Sequence, residues 1–134
     1  MIRNLILLAI TITFSTAICY AQQSHHISSM DFVEIVNENE NEALFYYQKN
    51  WKILRQMALK KNYIVSFEIL RDASEEKSSF DLILITTYAD KEQFDKREEH
   101  FQELIKEKGA LELLNEKKPP AFRKTVMSKD LISL

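Results

Sequence analysis

From residue 30 onward, short segments rich in β-branched and aromatic residues alternate with longer ones whose apolar residues recur every three or four positions. The order is strand, helix, strand, strand, helix, strand. No other feature narrows the fold as much, because a two-residue period lays its apolar side chains on one face of a sheet and a 3.6-residue period lays them on one side of a helix.

The first strand is predicted over Met30–Val36, where Phe32, Val33, Ile35 and Val36 precede the polar run Asn37-Glu38-Asn39-Glu40. Two overlapping capping boxes, Asn37 to Glu40 and Asn39 to Glu42, announce a helix. Leu44, Tyr47, Trp51, Leu54 and Ala58 share one of its faces, which predicts a helix over 42–61 that stops at Asn62 in a left-handed turn. Tyr63 to Leu70 alternates as a second strand, with Tyr63, Val65, Phe67 and Ile69 on an apolar face and Ile64, Ser66, Glu68 and Leu70 on a mixed one. The polar stretch 71–79 joins it in a hairpin to a third strand over 80–88. That strand is apolar on both sides, with Phe80, Leu82 and Leu84 against Ile83 and Ile85. Asp90 and Gln93 form another capping box, Phe94, Phe101, Leu104 and Ile105 mark the buried stripe of the second helix, and Gly109, the only glycine, caps its end. A helical turn is expected over 110–114 and an extended connection through Lys117-Lys118-Pro119-Pro120. The last strand is expected over 122–128, with Arg123, Thr125 and Met127 facing away from Phe122, Lys124 and Val126.

Ahead of these elements, Arg3 is the only charge before Asp31, and it is followed by the apolar run Leu5 to Ile10 continuing through Ile12 and Phe14. Small residues at Cys19 and Ala21 then precede the polar Gln22-Gln23-Ser24-His25-His26. This is the pattern of a secretory signal peptide over 1–21, cut after Ala21, followed by a flexible leader over 22–29 and a single domain over 30–134. Thr11, Thr13, Ser15 and Thr16 weaken the alternative of an uncleaved membrane anchor. Lipid attachment at Cys19 would want a leucine and a small residue ahead of it, where Thr16-Ala17-Ile18 stands. The expected location is the periplasm or the medium, with no membrane attachment after cleavage.

Cleavage there also removes the only cysteine, so the exported domain would form no disulfide and no thiolate metal site. With 18 Lys and Arg against 20 Asp and Glu, interspersed along the chain, no basic stripe marks a nucleic-acid partner. One glycine in 134 residues leaves no glycine-rich phosphate cradle, and no nucleophile elbow, metal triad or dinucleotide fingerprint is present. No cofactor and no metal are therefore expected. His25 and His26 offer adventitious metal binding at most.

A βαββαβ order in a chain of this size gives an α+β, ferredoxin-like fold, a four-stranded antiparallel sheet with two helices on one face. The other face then has no cover of its own. With Ile83, Ile85 or their neighbours exposed on it, a twofold homodimer packing two such faces is expected.

The residues that carry a wider resemblance are Tyr46-Tyr47 to Trp51, the strand Ile64 to Leu70, the strand end Thr86-Thr87-Tyr88-Ala89-Asp90, and Pro119-Pro120-Ala121-Phe122-Arg123. Over roughly residues 30 to 128 this pattern resembles the dimeric α/β-barrel superfamily, which includes antibiotic-biosynthesis-type monooxygenases, haem-degrading enzymes and stress-responsive barrel proteins. The resemblance implies a shared two-sheet barrel and a small apolar or aromatic ligand bound between the open sheet face and helix one.

The candidate residues follow. Tyr47 and Trp51 are read first as core, and under the resemblance as pocket aromatics that hydrogen-bond a ligand. His100, among Arg97, Glu99 and Glu103, is read as a solvated surface residue, with a general-base role as the functional alternative. Glu34 and Glu68 sit mid-strand, where a carboxylate faces water, a partner or a cavity. If both faced the interior they would act as acid and base, or pair with Arg123 and Lys124. Tyr47, Trp51, Glu68 and Arg123 form the expected ligand set, and His100, Glu68 and Glu34 the catalytic candidates. Haem binding is not expected, since no histidine matches that subfamily's motif. Two functions follow: an exported, non-catalytic ligand-binding barrel, or a cofactor-independent monooxygenase-like enzyme. A structural interaction domain is a third.

Overall fold

The structure is a computed structural model that describes residues 25–134, so the expected signal peptide, its expected cleavage point and Cys19 lie outside the described residues. Strand β1 spans Ile27–Ile35. A long helix follows in three parts, α1 (Glu40–Tyr46), a π-helical turn (Tyr47–Trp51) and α2 (Lys52–Lys60). Strands β2 (Ser66–Arg71) and β3 (Leu82–Tyr88) form the hairpin. Then come α3 (Lys91–Asp95), α4 (Arg97–Lys108), a 3₁₀ turn (Leu114–Glu116), the short α5 (Pro119–Phe122) and β4 (Arg123–Ile132). The strands order as β2-β3-β1-β4, each antiparallel to its neighbours, with both helical segments on one face. This is the ferredoxin-like α+β arrangement.

Register assigns the faces. On the helix side Val33 pairs with Leu82, Asp31 with Leu84 and Ser29 with Thr86, and on β2 Ile69 stands opposite Leu84 and Phe67 opposite Thr86. Val33, Leu82 and Leu84 pack against Ala43, Tyr47, Trp51 and Phe122 in the main core. A second cluster joins Ala58, Ile64, Tyr88 and Leu104, fastening α2 and α4 to the end of β3. On the reverse face, rows Leu70–Ile83–Phe32–Met127 and Glu68–Ile85–Met30–Lys129 run across the sheet, with the Phe80 ring edge-on to Phe32 at 5.1 Å and no helix packed over them among the described residues.

Several boundaries differ from expectation, each for a local reason. Strand β1 starts at Ile27, so the last residues expected in a flexible leader are paired in the sheet. His26 and Ser133 extend that pairing by hydrogen bonds of 2.8 and 2.9 Å. Asn62 takes the left-handed conformation (φ 57°), and the Tyr63 amide closes onto the Ala58 carbonyl at 2.9 Å. Tyr63 is thereby held to the helix end and β2 begins only at Ser66.

The capping boxes of helix one do not form. Asn39 makes no side-chain cap and instead donates to the Ala121 carbonyl at 2.8 Å, while Glu42 accepts from Asn115 (2.9 Å) and Lys117 (3.0 Å). Both residues hold the chain before β4, a tertiary use that outcompetes the local one. Asp90 does cap α3, through the Gln93 amide at 2.8 Å, but helix two bends at Lys96. Residues 110–113 are not helical, because the buried Asn50 side chain bonds both the amide and the carbonyl of Glu112, at 2.9 and 2.7 Å. Pro119 and Pro120 open a short helical turn instead of extending the chain, at first-turn positions that need no amide hydrogen.

In β4 a bulge opposite Phe32 and Val33 breaks the alternation. Arg123 and Thr125 stay on the helix side, Met127 moves to the open face, and the strand continues to Ile132.

Candidate functional site

A cavity of about 470 Å³ lies between the sheet and the helices, on the covered side of the sheet. Its floor is Leu84, Thr86 and Tyr88 of β3 with Ser29 and Asp31 of β1. Trp51, Leu54 and Arg55 form one wall and Phe101 and Ile105 of α4 the other. Ser128, Lys129 and Asp130, exposed on β4, flank the mouth. The opening exists because the helices cover β2, β3 and β1 but leave β4 bare, so the wedge between helix layer and sheet widens toward that edge.

The π-helical turn shapes the wall. Widening the helix at Tyr47–Trp51 brings two consecutive residues inward, so that Asn50 and Trp51 are both buried. Asn50 anchors residue 112 and Trp51 reaches the cavity, a pairing that a regular helix would split between adjacent directions. One turn on, the Arg55 guanidinium is clamped between the rings of Trp51 (4.1 Å) and Phe101 (4.4 Å). Its Nε donates to Thr86 Oγ1 at 3.3 Å. Burial holds the guanidinium down to about 10, against an ordinary value of 12.5, so it still carries its charge at neutral pH.

The carboxylates of the cavity are already engaged. Asp31 accepts from Ser128 Oγ at 2.5 Å, Asp130 from Ser29 Oγ at 2.7 Å, and Glu98 lies 3.9 Å from Arg97 Nε. Among the described residues none forms an ion pair with Arg55. Burial also raises the phenol of Tyr88. No group of three His, Cys, Asp or Glu side chains among the described residues is placed to hold a metal ion.

Of the residues singled out in the sequence, Trp51 lines this cavity. Tyr47 lies beside it in the core, 1% exposed, with its hydroxyl buried and without a hydrogen-bond partner among the described residues. Burial pushes that phenol up to about 12, offset in part by the positive charge of Arg123 nearby. The structure thus brings Tyr47 and Arg123 together, the latter with its guanidinium 5.5 Å from the Tyr46 ring, but outside the cavity lining.

His100 is not the solvated residue expected. It is half-buried and stacked flat on Tyr63, with centroids 3.7 Å apart, against a separate recess lined by Lys61, Asn62, Asp90 and Gln93. Glu34 and Glu68 both point to the open face, Glu34 in register with Lys124 and Glu68 with Ile85, and neither reaches the cavity. The cavity itself is on the helix side of the sheet, not on the mixed face where the resemblance implied a ligand.

Sequence reasoning passed over Arg55 and Thr86. The available signal was an arginine four residues after the tryptophan of an apolar helical stripe, which puts a charge on the buried face. Helix amphipathicity alone reads such a residue as the edge of the stripe.

The sequence matches no protein-family model and no curated protein. Solved structures resemble it in fold. HapK from Hahella chejuensis superposes over 81% of this chain and 92% of its own, at 12% identity and a TM-score of 0.50. A chlorite dismutase-like protein covers 81% of this chain and 44% of its own, at 9% identity and a TM-score of 0.47. A dimeric ferredoxin-like protein from Thermobifida fusca covers 83% and 92%, at 7% identity and a TM-score of 0.41. At these identities the likeness is one of fold.

Proposed function

We propose that the protein is an exported, dimeric barrel that binds a small aromatic or apolar molecule in the cavity between its helices and sheet. The observation that carries the reading is the cavity itself, about 470 Å³, in which Trp51, Leu54, Leu84, Phe101 and Ile105 form an apolar part beside polar and charged residues that include Arg55, Thr86 and Asp31. Its size is that of small-molecule sites, and the aromatic and aliphatic walls give a ring something to pack on. A structural interaction domain has no need of such a space, and filling it with side chains would stabilise the fold.

The dimer rests on the apolar rows of the open face, and export rests on the sequence of residues 1–21. No helix among the described residues is long and apolar enough to cross a membrane.

One preparation tests address and occupancy together. Protein isolated from its native host and examined by native mass spectrometry is expected to begin at Gln22 and to carry a copurifying small molecule. A Trp51→Ala variant, folded by circular dichroism, is expected to lose that molecule. An intact Met1 would overturn the export, and an empty cavity that also takes up no aromatic compound from a screened set would overturn the binding function.

A further inference from the structure

The ligand reading leaves the chemistry of Arg55 unused, and the following inference rests on that reading. A guanidinium offers five N–H donors in one plane. Here Nε is taken by Thr86 Oγ1, and the aromatic rings of Trp51 and Phe101 lie 4.1 and 4.4 Å from the central carbon. These contacts hold the group against the cavity wall and leave its terminal nitrogens to meet a ligand. A charge removed from water is costly unless an opposite charge meets it. No cavity carboxylate pairs with it directly: Asp31 offsets part of the burial through its charge but makes no ion pair with Arg55, Asp130 accepts from Ser29, and Glu98 lies beside Arg97.

We propose that this edge is the recognition element of the cavity and that the ligand is an aromatic monoanion. Its carboxylate, or an equally planar oxyanion, docks two-pronged on Arg55, while its ring packs among Trp51, Leu84, Phe101 and Ile105. The two-oxygen geometry matches the guanidinium fork, which a lysine ammonium would not reproduce. Tyr88, on the cavity floor, supplies a further donor. The aromatic clamp keeps Arg55 in place before the ligand arrives, so little order has to be gained on binding.

The test compares 2-naphthoate with its neutral isostere 2-naphthamide by calorimetry on the purified protein at neutral pH. The acid is expected to bind about tenfold or more tightly than the amide, the range of a charge-assisted hydrogen-bonded pair. The preference is expected to vanish in Arg55→Met and to be reduced but not abolished in Arg55→Lys. It is also expected to fade in the unaltered protein as the pH is lowered through the acid's own pKa, a readout that does not depend on any variant folding. Equal affinity for acid and amide overturns the anion selectivity and leaves the ligand site standing. Binding of neither compound overturns both.

Discussion

Glu42 shows how a residue placed by the sequence for one task performs another. Read as the far end of a capping box, it is instead a nearly buried carboxylate that takes hydrogen bonds from Asn115 and Lys117, and these hold its pKa at about 2 against an ordinary 4.5. A carboxyl group with a depressed folded-state value contributes stability that is fully present above its unfolded value and is lost as pH falls toward the folded one. The contact ties α1 to the segment before β4, so its loss loosens two parts of the chain distant in sequence. Urea midpoints measured from pH 7 to pH 2 are expected to be lower in Glu42→Gln than in the unaltered protein near neutrality. The difference should shrink between about pH 4.5 and about pH 2. A gap that stays constant across that window would mean the pair does not hold the carboxylate. Arg55 is the converse case. Its position four residues after Trp51 was visible, but that the two rings of Trp51 and Phe101 meet over it depends on a helix–helix contact that no local pattern reports.

Element types were legible because periodicity is a property of the segment, and element ends were not because they depend on what each backbone group finds to bond. The four strands and two long helices expected between residues 30 and 128 are all present, whereas the helical turn expected over 110–114 is not, β2 starts late where Tyr63 closes the helix, and β4 runs on to Ile132 because β1 offers partners as far as Ile27. Gly109 is the stop that both levels agree on. It sits at φ 83° and ψ −145°, a conformation open to glycine and strained for any residue with a Cβ, and its amide still closes α4 onto the Ile105 carbonyl at 3.0 Å. An added methyl group would meet nothing within 4 Å, so the cost of replacement is backbone strain alone. Gly109→Ala is expected to destabilise the protein by about 1–3 kcal/mol in chemical denaturation, with the denaturant slope unchanged. A neutral effect would show that the chain after α4 can relax without disturbing the Asn50 anchor at Glu112.

At the scale of the molecule, the sheet has one side closed by helices and one side that presents Leu70, Ile83, Phe32 and Met127 in one row and Ile85 and Met30 in the next. Leu70 and Met127 remain 44% and 43% exposed, and an apolar face left open in this way is the surface on which the proposed dimer would form. The charges of the face also suit a second copy as the proposed occupant. The row Glu68–Ile85–Met30–Lys129 is acidic at the β2 edge and basic at the β4 edge. When two faces stack about a twofold axis running along the strands, each row meets its partner reversed, and Glu68 comes to lie over Lys129 of the second copy. Sedimentation of residues 22–134 is therefore expected to give a dimer at micromolar concentration, and Ile83→Glu a folded monomer. Glu68→Lys should weaken association, more so at low salt, and Glu68→Lys combined with Lys129→Glu should restore it. If the double exchange is no better than the single one, the axis does not run along the strands. If the unaltered protein sediments as a monomer, the open face is not the dimer interface.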